Sequence, residues 1–226
     1  MKFAIAKEHR EYFRLNQTLE LENLLNINQL GQFKQGIQFA LSRRLKLRPD
    51  QITNQQSSQL FRNGRDLWRS HDPIKKTICN PSYAEVFSEL VDQKTIRLGY
   101  DQLFPAQQLG DGAFYTDFLQ NPRYLSEFSC IQGVLGGLML CIEGDATVAS
   151  RSIFSATPGN GVFFGEDYLI EFEQMLPDHT YLLIVYTKKT SVYIANREDP
   201  FAHTLMNQGY SYGDRLTDQL NPVLCR

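Results

Sequence analysis

"CNPSYAEVFSELVDQKTIRLGYDQLF" (Cys79–Phe104) decides the fold, because the hydrophobic period changes inside it. Asn80 is placed to accept hydrogen bonds as an N-cap, Pro81 suits the first helical position, and Glu85 lies in the favourable first turn, so a helix starts here. From Thr95 the pattern becomes that of a strand, "TIRLGYDQLF". Upstream of this switch the chain is mainly helical. "TLELENLL" (Thr18–Leu25) alternates like a short strand, and Asn28 then stands as the cap of a helix reaching about Leu45. Its apolar residues Leu30, Phe33, Ile37, Phe39, Ala40 and Leu41 fall mostly on one face. "KLRPDQITNQQSSQ" reads as a loop and "LFRNGRDLWRS" as a short helical turn.

Downstream, "SEFSCIQGVLGGLMLCIEG", "NGVFFGEDYLIEFEQ", "YLLIVYTK" and "SVYIAN" are strand-like runs bounded by Gly, Asn, Asp or Pro. Helices first and strands afterwards predict an α+β domain in which helices flank an antiparallel sheet or barrel. No repeat, low-complexity tract or long linker divides the chain. One domain over residues 1–226 is expected. Residues 1–94 would form a helix-rich flank with one early strand, 95–200 the β-barrel core, and 201–226 an aromatic tail packed on the barrel.

Lys plus Arg total 23 against 25 Asp plus Glu, a net charge of -2 that gives nucleic-acid or anionic-membrane binding no support. Cys79, Cys130, Cys141 and Cys225 are far apart and lack zinc-site spacing, so they read as reduced thiols. "MKFAIAKEHREYF" has no sustained apolar segment, and "GVLGGLMLCI" (Gly133–Ile142) is about half the length needed to cross a bilayer. A cytoplasmic protein with no membrane partner is expected.

None of the four histidines, His9, His71, His179 and His203, forms a close ligand pair. His71 beside Asp72 reads as a water-exposed pair at a loop or helix start, and His179 as a turn residue near a barrel mouth. Glu171 and Glu173 alternate with Ile170 and Phe172, so in a strand the acids share one face. Turned inward they would resemble a hard-metal or proton-transfer pair; turned outward they are a solvated face, the simpler reading. Gly133, Gly136 and Gly137 miss dinucleotide-loop spacing and mark a bulge or close backbone packing instead. The basic run "SRRLKLR" (Ser42–Arg48) reads as the wet end of a helix.

"EYFRLNQTLELENLLNINQLGQF", "RDLWRSHDPIKKTICNPSYAEVFSELV" and "TIRLGYDQLFPAQ" together resemble the front half of the phytanoyl-CoA dioxygenase-like branch of the Fe(II)/2-oxoglutarate oxygenases. "TPGNGVFFGEDYLIEF" looks like that family's strand leading to its second histidine. The resemblance covers roughly Glu11 to Thr187. It implies a double-stranded β-helix, a jelly-roll or cupin-like barrel flanked by N-terminal helices. It also implies iron held by two histidines and a carboxylate, with an arginine gripping 2-oxoglutarate.

Carried over residue by residue, the ligand set is degenerate. Tyr115 stands for the first histidine, and a phenol with a reference pKa of about 10 is a poor ferrous ligand. Asp117 matches. The second histidine falls near Ile170, with Glu171 the nearest substitute, and the arginine near Thr180 or Tyr181. No arginine occurs from 152 to 196, and Lys188 and Lys189 come at the far end of the strand. The expectation is a catalytically silent barrel binding an unidentified small molecule or protein, with Tyr115, Asp117, Glu171 and His179 at its mouth and no metal or cofactor. Two alternatives stand beside it. One is an active dioxygenase using Fe(II) and 2-oxoglutarate with Asp117, Glu171 and His179 as ligands; the other is a metal-dependent or DNA-binding regulator.

Overall fold

The computed structural model describes residues 5–107, 113–147 and 152–226. Its strands are β1 (Thr18–Leu21), β2 (Ile96–Phe104), β3 (Ile131–Glu143), β4 (Gly161–Gly165), β5 (Thr180–Tyr193) and β6 (Val223–Cys225). They form one sheet in the order β1-β4-β3-β5-β2-β6, antiparallel at every pairing. The helices are α1 (Lys7–Asn16), α2 (Ile27–Leu45), α3 (Ser57–Asn63), α4 (Asp72–Ile78), α5 (Pro81–Val91), α6 (Ala113–Gln120) and α7 (His203–Asn207).

Strand alternation sorts the side chains into two cores. On β5, Leu182, Ile184 and Tyr186 face the cluster built with α2, α4 and α5, whereas Tyr181, Leu183 and Val185 face a second, aromatic-rich cluster. Both faces of the sheet are therefore buried, which explains why β5 reads as a continuous apolar run. Opposite the helices, the described residues contribute no second layer of strands beyond the isolated antiparallel bridge Arg123↔Ile170.

The expected caps fare differently. Asn80 accepts from Ser82 N at 3.0 Å and starts α5 as its sequence predicts. The cap of α2 is Asn26 and not Asn28. Asn26 Oδ1 accepts from Gln29 N at 2.9 Å while Gln29 Oε1 accepts from Asn26 N at 3.0 Å. Asn28 has Gly31 three positions on, which has no side chain to close such a box. No local pattern announces α1, whose one buried residue is Phe13.

"SEFSCIQGVLGGLMLCIEG" forms β3, and its glycines sit at register shifts between Gln132 and Val134 and between Val134 and Gly136. At Gly136, φ is +140° and a Cβ would stand 2.0 Å from the Phe164 carbonyl oxygen, so close packing requires glycine. "YLLIVYTK" and "SVYIAN" merge into β5. The strand expected through "EDYLIEFEQ" stops at Gly165, and Phe172–Gln174 is a 3-10 turn. Glu171 and Glu173 therefore share no strand face; Glu171 is half-buried and Glu173 exposed. In the aromatic tail Tyr210 and Leu216 are buried, and β6 pairs with β2. Among the described residues, no helix is long and apolar enough to cross a membrane.

Candidate functional site

The face of the sheet turned away from α2 and α5 is the inner face, and aromatic rings fill it. Phe61 from α3 lies 5.3 Å from Phe104, 4.9 Å from Tyr115 and 5.0 Å from Phe118, centroid to centroid. Phe172 in the 3-10 turn stacks on Phe104 at 5.1 Å and meets Phe118 at 5.5 Å. These separations are those of favourable ring pairs, so α6 and the 3-10 turn are sealed onto β2 by packing.

The four residues expected at a barrel mouth do not converge. Tyr115 is buried and its hydroxyl donates to the Pro105 carbonyl at 2.8 Å, while Asp117 is exposed. "AFYTDFL" is a helix, and residues two apart on a helix point to different sides, so Tyr115 turns inward and Asp117 outward. Glu171 accepts from the Gln174 side chain beside the 3-10 turn. His179 is 2% exposed rather than a surface turn residue, with Nε2 3.1 Å from the Ala156 carbonyl. A carbonyl only accepts, so Nε2 carries the proton. Ile170, near which the family resemblance puts the second histidine, is fully buried among the rings.

The polar groups that do meet near this face are ones the sequence reading missed. Arg65 Nη2 donates to both oxygens of Asp199, at 3.1 and 3.0 Å, and the guanidinium lies 3.3 Å over the Tyr100 ring. Burial opposes the charge on Arg65, but Asp199 together with the smaller contributions of Tyr100, Asp66 and Cys130 more than offsets it and holds the guanidinium protonated. Asp199 also accepts from Cys130 N and Phe201 N, both at 2.8 Å. Burial holds these thiols in the protonated form: it pushes Cys79 up to about 11 and Cys141 up to about 12, and raises Cys130 as well.

Asp101, buried in β2, accepts from Leu67 N at 2.9 Å and Trp68 N at 3.2 Å. Burial, with Asp66 nearby, pushes its pKa up to about 7. Such an acid adds stability in full below its unfolded pKa of about 4, and loses it as pH rises through about 7. The urea midpoint of the wild type is expected to fall across this window more steeply than that of Asp101→Asn; parallel pH profiles would contradict the assignment. The acid-then-amide pair Asp101–Gln102 inside an apolar strand was the available sequence signal.

No family model matches the sequence, and no curated protein matches it. Solved structures do. The non-heme alpha-ketoglutarate-dependent carbocyclase SnoK from nogalamycin biosynthesis superposes with a TM-score of 0.69 at 10% identity, over 97% of this chain and 96% of its own. The chain shares the fold of non-heme alpha-ketoglutarate-dependent enzymes. The epimerase SnoN from the same biosynthesis gives 0.63 at 14% identity, over 96% and 97%. CytC3 with Fe(II) and alpha-ketoglutarate gives 0.53 at 10%, over 85% and 81%.

The described residues do not fit the iron and 2-oxoglutarate that this fold implies. Among the described residues, no three His, Cys, Asp or Glu side chains are placed to hold a metal. Tyr115, Ile170 and Tyr181, which the family resemblance sets against the two imidazoles and the arginine, are buried and supply neither imidazole nor guanidinium. Two guanidiniums are buried among the described residues, and carboxylates already engage both: Asp199 holds Arg65 and Asp218 holds Arg97.

Proposed function

We propose that this protein keeps the oxygenase frame without its chemistry and works as a binding or regulatory module. In this reading the sheet is the major layer of a double-stranded β-helix whose second layer has been reduced to covering segments. The order of its elements supports the phytanoyl-CoA dioxygenase-like branch, and four free cysteines accord with a reducing, cytoplasmic setting. The observation that carries the reading is the filled inner face: Tyr115 and Ile170, which the family resemblance sets in place of the histidines, are buried in one cluster with Phe61, Phe104, Phe118 and Phe172. A ferrous site needs oriented imidazoles with their own hydrogen-bonded support, and ring packing provides neither.

What such a frame offers is a surface to bind with. Beside the ends of β2, β3 and β5, a groove of about 550 Å³ is lined by apolar side chains including Ile37, Leu41, Ile52, Leu103 and Ile142. Its size and lining suit a small apolar ligand. Incubation in air with Fe(II), ascorbate and 2-oxoglutarate is expected to release no succinate above the protein-free rate. Succinate release that Asp117→Ala abolishes would overturn the proposal and favour an active dioxygenase.

A further inference from the structure

On the helical flank, α2 and α4 leave between them a cleft of about 460 Å³, lined by Phe39, Arg43, Trp68, Arg69, His71 and Lys75. It lies on the far side of the sheet from the rings of the inner face, since Trp68 packs into the helix-side cluster. Its floor is rigidly held. Arg44 from the last turn of α2, expected in solvent, is turned inward. It donates to the carbonyls of Asn63 and Asp66 and to Ser70 Oγ, each at 2.8 Å, and also to the Arg65 carbonyl. Asp101 takes the Leu67 and Trp68 amides from beneath. The loop carrying Trp68 and Arg69 is thus fixed at both ends by buried polar contacts.

The side chains on this fixed loop have donors to spare. The Arg69 guanidinium lies 4.3 Å over the Trp68 ring. Its nearest carboxylate, Asp66 Oδ2, is 3.7 Å from Nε, beyond hydrogen-bond distance. Arg69 Nε and Nη2 and Trp68 Nε1 are all buried without an acceptor, and Trp68 is 5% exposed. Buried donors are normally satisfied, so three together in one cleft wall are unusual. Around them Arg43 and Lys75 add positive charge, and neither is ion-paired among the described residues. The one carboxylate lining the cleft is Asp72. The cleft therefore combines excess cation, unspent donors and two aromatic walls, a combination matched by an acceptor-rich anion.

We propose that this cleft binds a small molecule through an oxyanion, a phosphate or carboxylate group, with Arg69 and Lys75 as its principal contacts. Local side-chain adjustment would bring the Arg69 donors onto the anion, and the guanidinium fork suits such a group. Trp68 is the only tryptophan in the chain, so its emission reports on the site directly. The experiment titrates the full-length protein with pyrophosphate and, separately, with citrate, each against sodium chloride at matched ionic strength. The expected result is a saturable emission change with a Kd below about 1 mM for at least one of the two. The arm that responds identifies the phosphate or the carboxylate source.

Arg69→Gln and Lys75→Gln are each expected to weaken that binding roughly tenfold or more. Lys75 is exposed, so its variant tests the site without threatening the fold. Emission that follows only ionic strength in both arms would overturn the proposal, as would unchanged affinity in Lys75→Gln. The inner-face reading is untouched by either outcome, because no residue of this cleft belongs to it.

Discussion

Asp199→Ala is expected to destabilise the protein by about 3–5 kcal/mol, the range for removing one partner of a buried ion pair. The carboxylate is fully buried and the Arg65 side chain 6% exposed, so water cannot replace what is lost. The substitution leaves a guanidinium pressed against Tyr100 with no counter-charge, and also strips the acceptor from the Cys130 and Phe201 amides. Those amides belong to the lead-in to β3 and to the segment before α7, so one carboxylate ties three distant parts of the chain together. Guanidinium-chloride unfolding measures the loss. Adding Arg65→Met to Asp199→Ala is expected to recover part of it, because the unpaired charge goes too. A single-variant loss below about 1 kcal/mol would show that the pair is not buried as described.

Gly136→Ala is expected to have an effect at least as large. A methyl group there meets the Phe164 carbonyl oxygen at 2.0 Å and the Phe87 ring at 2.8 Å, and φ is +140°. The carbonyl belongs to β4 and cannot move without breaking the β3–β4 register, in which Gly136 faces Gly165 and Gly137 faces Phe164. Overpacking and backbone strain each cost about 1–3 kcal/mol, and here they add, so a loss above about 3 kcal/mol or failure to accumulate as soluble protein is expected. Gly209→Ala separates the two contributions: φ is +98° but nothing lies within 4 Å. It should cost only the left-handed penalty of about 1–2 kcal/mol. Equal effects at the two glycines would contradict the close approach in β3.

The fold was legible where local chemistry and tertiary packing agree. Asn80 and Pro81 announced α5, and the change of period at Thr95 announced β2, because caps and alternation are short-range signals. The bulge glycines of β3 were legible for the same reason. Where a local pattern had two solutions, packing chose the other one: "IEFEQ" alternates like a strand, yet Phe172 reaches Phe104 and Phe118 from a 3-10 turn. "AFYTDFL" invited a linear motif reading, but as a helix it sends Tyr115 inward and Asp117 outward. The polar centre was not legible at all, since Arg65 and Asp199 are 134 residues apart and nothing local marks either as buried. Arg44 was hidden in another way: its basic neighbours imply solvent, while its actual acceptors are carbonyls of a loop some twenty residues on.

Equilibrium dialysis of the full-length protein against micromolar Co(II), with and without 2-oxoglutarate, tests the filled inner face most directly. The structure predicts that metal content stays well below one ion per chain and does not rise with 2-oxoglutarate. Retention of one ion per chain that is lost in Asp117→Ala or His179→Gln would contradict it, because those side chains would then have to meet at a point where aromatic rings now pack.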